Sequence, residues 1–413
     1  MTHPVPPALR VLLDDPALLK IFSLLNSADH SVRLVGGVVR NVLMQRPVTD
    51  IDMATTHLPE TVMEKARQAG LKVVPTGLAH GTVTLVIEGR SFEVTTLRED
   101  IETHGRHATV RFGHDFKHDA LRRDFTINAL YADADGHIYD YAEGLEDIEG
   151  KHVRFIGEAR TRITEDYLRI LRFFRFFSDY AEGPIDQAGL EACIAMRDGL
   201  GQLSRERIGS ELVKILMSRR AHEVVQAMDK GGILALCLNH ARDPDAFGRL
   251  VQLAPEADAM TRLYGLTNPD IEAAQALRKG LRLSNLQSAL IEKINRALLL
   301  LDPLDDPVGR RHAAFRFGHE AALAALMLAA SRTGGDCKQG TRHWLDEASA
   351  DIRQVPLKSP FTGQHLLARG LQSGPQIGAI VGEAERLWIE EGLSGDPTIH
   401  NSQLERAVKH ILD

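Results

Sequence analysis

The sequence predicts an α+β fold in which a small head of mixed strands and helices precedes a long, all-helical region. Two observations support this. Between residues 30 and 140, short runs with the alternation of strands are interspersed with helical periods. From about residue 165 onward, apolar residues recur at helical spacing, and strand-like alternation is nearly absent. A chain of 413 residues has room for about two to four domains.

Each predicted element has its own sequence pattern. Strand patterns in the head occur at residues 32–35, 49–54, 81–88 and 91–97. The dipeptide Gly89-Arg90 predicts that the last two strands form a hairpin. Helical patterns in the head occur at residues 38–44 and 58–69. Later helices are predicted at residues 208–217, 221–228, 291–301, 321–330, 376–388 and 403–412.

Composition and charge exclude several classes of protein. Apolar residues make up 44% and charged residues 25% of the chain, which excludes wholesale disorder and collagen. The longest apolar run, residues 321–330, is shorter than the ~20 residues of a membrane span, so we expect a buried helix there and no membrane partner. Because the net charge is −7, a site for a polyanion must be built from locally placed arginines.

Cysteine usage and the N-terminus indicate a reducing compartment. Cys193, Cys237 and Cys337 are an odd set without a close pair, which argues against a disulfide framework and a cysteine-type zinc site. The first residues lack the basic and then apolar pattern of a signal peptide. We expect a cytoplasmic protein, and nothing in the sequence implies an obligate protein partner.

The carboxylates Asp50 and Asp52 are the first chemical signal. On a strand both would point the same way, while Ile51 points to the core. Neighbouring carboxylates repel each other unless a cation lies between them. Oxygen ligands favour Mg²⁺ or Mn²⁺ over zinc or copper. The alternative is a solvated turn or a helix N-cap.

Glu93, on the later strand, is a candidate third catalytic carboxylate that could activate a hydroxyl, or simply an exposed strand residue.

A pair of glycines, Gly36 and Gly37, lies at a predicted strand-to-helix junction shortly before these acids. Glycines there let backbone N–H groups approach a phosphate, and Arg40 is placed to bind the same anion. The alternative is a tight turn in which glycine serves packing.

Two segments rich in arginine follow. Arg122-Arg123-Asp124 and Asn128 are suited to a triphosphate and a ribose, the alternative being a helix start that Asp124 caps.

Residues 165–177 are predicted to be one largely buried helix with a row of charged residues at i,i+3 spacing: Asp166, Arg169, Arg172 and Arg175. Buried arginines are costly unless they face anions. The alternative is an internal salt-bridge network with Glu165 and Asp166.

The pair Asp166 and Arg169 has a specific use in base recognition. Cytosine and adenine both present an exocyclic amino donor beside a ring-nitrogen acceptor, and uracil and guanine invert that edge. A carboxylate that accepts from the amino group, beside an arginine that donates to the ring nitrogen or to O2 of cytosine, would select C and A without a nucleic-acid template.

The order of these motifs resembles the class II tRNA nucleotidyltransferase and bacterial poly(A) polymerase family. The motifs are Gly-Gly-x-Val-Arg from Gly36, Asp-x-Asp from Asp50, Arg-Arg-Asp-Phe-Thr-Ile-Asn-Ala from Arg122 and Glu-Asp-x-Leu-Arg-x-x-Arg from Glu165. The resemblance is close over about residues 33–177. Residues 362–378 resemble the family's tail, and residues 221–355 are similar only in being helical.

The resemblance implies an architecture and an activity. A polymerase-β-like nucleotidyltransferase head would occupy residues 1–138, a neck with a nucleotide-selecting helix residues 139–220, a helical body residues 221–355 and a tRNA-binding helical tail residues 356–413. The implied activity is addition of C and A, from CTP and ATP, to the tRNA 3′ end. The implied cofactor is Mg²⁺, two ions in a two-metal mechanism, with Mn²⁺ as an alternative.

The resemblance also implies residue roles. Asp50 and Asp52 would hold the metals. The nucleotide-binding residues would be Gly36, Gly37, Arg40, Arg122, Arg123, Asp124, Asn128, Asp166, Arg169, Arg172 and Arg175. Residues 98–121, which include His104, His107, His114 and His118, match a mobile loop of the family. Asn41 departs from the family, which usually has Asp there, and this puts the role of an acid at that position in doubt.

Alternative functions remain open at this point. Within the same class, the chain could be a poly(A) polymerase, or a partial enzyme that adds only CC or only A. From a different class, it could be a non-catalytic RNA-binding protein, although the intact Asp50, Asp52 and Arg123 argue against that.

Overall fold

The computed structural model describes residues 5–102, 109–333 and 341–413. The chain divides into two compact units, Met1–Ser204 and Arg205–Asp413. The first unit contains the predicted mixed head, and the described part of the second unit consists of helices and their connections, so the predicted α+β class is confirmed. No helix in the described ranges is long and apolar enough to cross a membrane.

The described strands of the first unit form a seven-stranded mixed sheet and a separate two-stranded one. They are β1 (Val32–Val35), β2 (Ile51–Thr55), β3 (Lys72–Gly77), β4 (Thr82–Ile87), β5 (Arg90–Thr96), β6 (Arg98–Glu102), β7 (Thr109–Phe112), β8 (Leu130–Ala132) and β9 (Ile138–Asp140). The larger sheet has the order β3-β4-β5-β2-β1-β8-β9. Strands β2 and β5 are parallel neighbours, whereas β1 is antiparallel to both β2 and β8.

The strong strand patterns are confirmed and the weak ones were missed. The predicted strands correspond to β1, β2, β4 and β5, and β4 and β5 form the predicted antiparallel hairpin. The sequence pattern does not reveal β3, which is mostly exposed, or β8 and β9, which are too short for a visible alternation.

The segment of residues 98–121, expected to be a loop, is partly regular structure. Its described residues form the β6–β7 hairpin and helix α5 (Phe116–Leu121), because Arg98 pairs with Phe112 and the backbones continue as an antiparallel ladder. His104 and His107 lie outside the described residues. His118 lies 3.7 Å from the carboxylate of Asp115.

The remaining helices of the first unit surround the sheet or follow it. They are α1 (Pro7–Leu13), α2 (Pro16–Leu25), α3 (Gly37–Leu43), α4 (Pro59–Gln68), α6 (Gly144–Glu149), α7 (Ala159–Glu165), α8 (Leu168–Tyr180) and α9 (Gln187–Ala195). Ile51 and Met53 of β2 are buried in the core that packs α1, α2, α3 and α4 against the sheet. Side chains alternate along a strand, so Asp52 points away from that core, as predicted.

The second unit is helical from its first described residue. Its helices are α10 (Arg205–Leu216), α11 (Ala221–Lys230), α12 (Ile233–Cys237), α13 (Pro244–Leu253), α14 (Ala259–Gly265), α15 (Ile271–Leu281), α16 (Asn285–Leu298), α17 (Pro307–Phe317), α18 (His319–Arg332), α19 (Arg342–Gln354), α20 (Gly363–Leu367), α21 (Pro375–Glu390) and α22 (Pro397–Leu412). Every helix predicted in this region is confirmed. Helix α18 contains the apolar run of residues 321–330 and is largely buried, as expected.

Candidate functional site

The glycine turn between β1 and α3 brings two predicted motifs into contact. Gly36 has φ of +70°, a conformation that favours glycine. A Cβ atom on Gly36 would lie 3.3 Å from Nη1 of Arg123 and 3.4 Å from the carbonyl oxygen of Asn128. The turn therefore needs glycine both for its backbone and for the close approach of Arg123.

The predicted catalytic carboxylates lie at the start of β2 and on its parallel neighbour β5. Asp52 and Glu93 are directly paired in the register of these strands. Strand β2 begins at Ile51, not at residue 49 as predicted, so Asp50 precedes the strand. Asp50 is exposed and accepts a hydrogen bond of 2.9 Å from the hydroxyl of Thr49.

The electrostatics of Asp52 favour a bound cation. Burial raises the pKa of its carboxyl, the charges of Glu93 and Asp50 raise it further, and the charge of Arg123 lowers it. Burial and like charges both disfavour the ionised form, and a divalent cation would reverse that effect. In the described ranges, no group of three or more His, Cys, Asp or Glu side chains already has the spacing of a metal site. The fit to Mg²⁺ therefore rests on the oxygen donors and on the unfavourable charge of Asp52.

Arg40 is buried beside the glycine turn and is held by several partners. Its guanidinium donates to Oδ1 of Asn128, to Oδ1 of Asn41 at 2.9 Å and to the hydroxyl of Tyr180 at 2.7 Å, and it stacks 4.0 Å from the Tyr180 ring. Burial lowers the pKa of Arg40. Asn41 thus supplies an uncharged acceptor to Arg40 at the position where the family usually has Asp.

Asp119, which sequence reasoning missed, holds both adjacent arginines. Its carboxylate accepts from Arg122 Nε at 3.0 Å, from Arg123 Nη2 at 3.0 Å and from the hydroxyl of Tyr131 at 2.6 Å. The side chain of Asp119 is 2% exposed, and the charges of Arg123 and Arg122 outweigh its burial and hold its pKa well below the usual range. The available signal was the i,i+3 and i,i+4 spacing of Asp119 from the two arginines on a helix.

Three predicted nucleotide-binding residues, Asp124, Asn128 and Arg172, form a second network, in which Asp124 and Asn128 are buried and Arg172 is partly exposed. Asp124 accepts from Asn128 Nδ2 at 3.1 Å and from Arg172 Nε at 2.6 Å. Burial raises the pKa of Asp124, but the charge of Arg172 and weaker influences outweigh burial, so the pKa is lowered. Asn128 also accepts from Arg40, so these residues connect α3 with α8.

The helix predicted over residues 165–177 is broken, which corrects the sequence analysis. Helix α7 ends at Glu165, Asp166 is extended with φ −156° and ψ 108°, and α8 begins at Leu168. Two contacts explain the corner. The carboxylate of Asp166 accepts from the backbone N–H of Leu168 at 3.1 Å, and the ring of Tyr167 packs so closely on Gly199 that a Cβ there would lie 1.9 Å from it.

Arg169 occupies the first turn of α8, beside Asp166. Its guanidinium pairs with Glu165 at 2.5 Å and donates to the backbone carbonyl of Arg122 at 3.1 Å. The salt bridge with Glu165 confirms one contact of the alternative network. The bond to the Arg122 carbonyl also brings the first turn of α8 against the arginine pair. Arg175, further along α8, lies with its guanidinium 4.4 Å from the ring of Phe176.

Comparison with known proteins gives two matching families and several relatives. The families are described as "Poly A polymerase head domain", matching residues 32–154, and "Probable RNA and SrmB- binding site of polymerase A", matching residues 184–242. CCA tRNA nucleotidyltransferase 1, mitochondrial, of Danio rerio is 32% identical over 380 residues, which cover 90% of this chain and 86% of that protein. The Homo sapiens protein of the same name is 44% identical over 200 residues, covering 48% of this chain and 46% of the human one.

The solved structures agree with the sequence relatives. The CCA-adding enzyme of Bacillus stearothermophilus, crystallised in complex with CTP, superposes with a TM-score of 0.72 at 25% identity. The superposition covers 98% of each chain, so the similarity of fold extends over both compact units.

Proposed function

The chain belongs to the family of CCA tRNA nucleotidyltransferases, and we propose that it adds C and A, from CTP and ATP, to the 3′ end of tRNA without a nucleic-acid template. One observation carries this proposal. Within one compact unit, the Gly36 turn touches Arg123, and the charge of Arg123 acts on Asp52 in an acidic cluster. Nucleotidyl transfer needs such a phosphate-binding turn, a cation for the triphosphate and carboxylates for metals side by side.

The acidic cluster is the proposed metal-binding part of the site. Asp50 and Asp52 would hold two Mg²⁺ ions, for which Mn²⁺ could substitute, and Glu93 lies beside them on β5. When bound, such ions lower the pKa of an RNA 3′-hydroxyl and stabilise the pyrophosphate leaving group. Glu93 is exposed and is paired with Asp52 in the strand register, and it would accept the proton of that hydroxyl.

The glycine turn and the arginines are the proposed triphosphate site. Gly36 and Gly37 let the backbone approach the phosphates, and Arg40 lies against Gly37, where a Cβ would be 3.7 Å from its Nη2. Arg122 and Arg123 would neutralise charge that develops on the leaving group. Asp124 and Asn128 would contact the ribose, as the resemblance implies. The fixed hydrogen bonds of Arg40 and Arg123 support a preorganised site.

The corner between α7 and α8 is the proposed site of base selection. Asp166 would accept from the amino group of C or A, and Arg169 would donate to the neighbouring ring nitrogen. Arg172 and Arg175 would lie behind them, toward the triphosphate. The backbone N–H of Arg169 donates to the carbonyl oxygen of Asp166 at 3.0 Å, and this supports the assignment because it keeps the two residues adjacent across the corner.

The regional roles are proposals as well. The head of residues 1–138 would catalyse, the neck of residues 139–220 would select the nucleotide, and the body of residues 221–355 and the tail of residues 356–413 would hold the tRNA. Strand β9 crosses the first of these boundaries. We also propose a cytoplasmic location, which the buried free thiols of Cys193 and Cys237 suit.

The test is nucleotide addition to a series of tRNA transcripts that lack CCA, CA or only the terminal A. With CTP, ATP and Mg²⁺, each transcript should be extended to the CCA end and no further. Chelation of the divalent cation with EDTA should stop addition, and excess Mg²⁺ should restore it. No extension of any transcript would contradict the proposal.

Poly(A) polymerase is the second candidate, because the family matching residues 32–154 carries that description. The same assay separates the two. Tails longer than three nucleotides on the complete tRNA, made from ATP alone, would favour this candidate, whereas arrest at the CCA end would exclude it. Extension that stops at CC, or that occurs only from CC, would indicate a partial enzyme.

A further inference from the structure

Asp119 is a buried carboxylate that none of the roles above uses. It lies in α5, is 2% exposed and accepts from three side chains at once: Arg122, Arg123 and Tyr131. A carboxylate with this many charge-assisted bonds fixes the orientation of its donors. Its ionised form is strongly favoured, since its pKa lies well below the usual range.

Asp119 binds one edge of the Arg123 guanidinium and leaves the opposite edge available. Asp119 Oδ2 accepts from Arg123 through Nε at 3.3 Å and Nη2 at 3.0 Å, so one edge of that guanidinium is occupied. The opposite nitrogen, Nη1, faces the Gly36 turn, 3.3 Å from where a Cβ would stand, and its bond to the Asn128 carbonyl is long, at 3.5 Å. The N–H donors of Nη1 are thus presented to the turn.

The hydroxyl of Tyr131 locks this arrangement. It donates to Asp119 Oδ2 at 2.6 Å and accepts from Arg123 Nε at 3.2 Å. Two adjacent arginines repel each other, and the negative charge of Asp119 offsets part of that repulsion.

We propose that Asp119, supported by Tyr131, is a positioning residue that aims Arg123 at the triphosphate of the incoming nucleotide. The inference rests on the proposed function. It does not require Asp119 to touch the nucleotide, and it assigns nucleotide affinity rather than tRNA affinity to this carboxylate.

The test compares Asp119→Asn and Tyr131→Phe with the wild-type full chain. For Asp119→Asn we expect the KM for CTP, and the dissociation constant of CTP by calorimetry, to rise about tenfold, because a misplaced guanidinium loses charge-assisted bonds. For Tyr131→Phe we expect about a threefold rise, since the variant loses the hydroxyl that bonds both Asp119 and Arg123 but keeps the ion pair between them. The KM for tRNA should stay within about twofold in both, because the tRNA-binding regions are unchanged.

Asp147→Asn is the matched control. Asp147 is also buried, at 3% exposure, and pairs with Arg154 at 2.8 Å. Its loss should therefore lower the melting temperature without reducing the affinity for CTP. If Asp119→Asn folds, an unchanged CTP affinity overturns the inference and leaves Asp119 a purely structural residue. If it does not fold, an unchanged CTP affinity in Tyr131→Phe overturns it. A wild-type protein that binds CTP but adds no nucleotide would instead contradict the proposed function.

Discussion

Two carboxylates of the first unit, Asp52 and Asp119, are opposite in their electrostatics although both are aspartates near the same arginine. Asp119 is neutralised by the protein itself, with both arginines and Tyr131 within hydrogen-bonding distance. In the described ranges Asp52 has no ion pair. It faces Glu93 across the parallel strands, and burial, together with the charges of Glu93 and Asp50, raises its pKa.

The difference separates a carboxylate whose ionised form the neighbouring charges stabilise from one whose ionised form they disfavour. A buried carboxylate that is paired lowers the free energy of the folded state when ionised, whereas one with like-charged neighbours raises it. Carboxylates of the second kind occur at functional sites, where the proposed cation would offset the repulsion. Arg123 links the two acids, since Asp119 binds it and its charge acts on Asp52.

The largest expected effect is the loss of activity in Asp52→Asn. We expect nucleotide addition to fall by about 10³-fold, or about 4 kcal/mol in the barrier, because a ligand of the proposed metals is lost. The measurement is single-turnover addition of CMP to a tRNA transcript lacking CCA. As a separate check, Mg²⁺ should raise the melting temperature of the wild type more than that of the variant. Near-normal turnover, or an equal Mg²⁺ effect in both proteins, would contradict the assignment.

The next effect tests the other side of the comparison. Asp119→Asn should lower the free energy of unfolding by about 3 kcal/mol, because it removes the buried negative charge that pairs with Arg122 and Arg123. Denaturant unfolding at neutral pH measures this, with the exposed acid variant Glu149→Gln as a control expected to change little. A loss of under about 0.5 kcal/mol, the size of a surface effect, would mean that Asp119 is not a stabilising acid.

The sequence predicts those features of the site that depend on local patterns, and it does not predict those that depend on contacts between distant residues. The position of Asp52 on the face of β2 opposite Ile51 was predicted because alternation along a strand is visible locally, whereas Asp50 precedes the strand. The parallel pairing that brings Glu93 beside Asp52 is not visible in the sequence. Asp119 was missed although its spacing from the arginines was readable, because a carboxylate near an arginine on a helix is common and its hydrogen bond from Tyr131 joins α5 to a different element, β8. The corner at Asp166 was missed because the packing of Tyr167 on Gly199 joins residues distant in sequence.

A third acid, Asp166, extends the comparison to a carboxylate proposed to contact the base itself. In Asp166→Ala we expect discrimination against UTP and GTP to fall by about 30-fold, or about 2 kcal/mol, since the acceptor for the amino group is lost. Competition between CTP and UTP for the same transcript measures this better than separate rates. Arg172→Lys is a suitable control, because it lies outside the proposed base contact. An unchanged nucleotide preference would remove Asp166 from base selection.

The smallest expected effect has the opposite sign from the others and is therefore the sharpest test of the contrast. Asp52→Asn, although inactive, should be more stable than the wild type by about 1 kcal/mol at pH 7.5 without Mg²⁺, because it removes a carboxylate crowded by like charges. The raised pKa of Asp52 means that its ionised form destabilises the fold at pH values above the folded pKa. That penalty fades as the pH falls through the folded pKa toward the usual aspartate range, so the advantage of the variant should shrink on acidification.

For Asp119, whose pKa is lowered, the stabilisation should persist down to about pH 4, the unfolded value, and be lost only below it. Melting curves of both variants and the wild type from pH 7.5 to pH 3.5 test the two signs together, and an Asp52→Asn protein less stable than the wild type at neutral pH would show that Asp52 is a structural acid like Asp119.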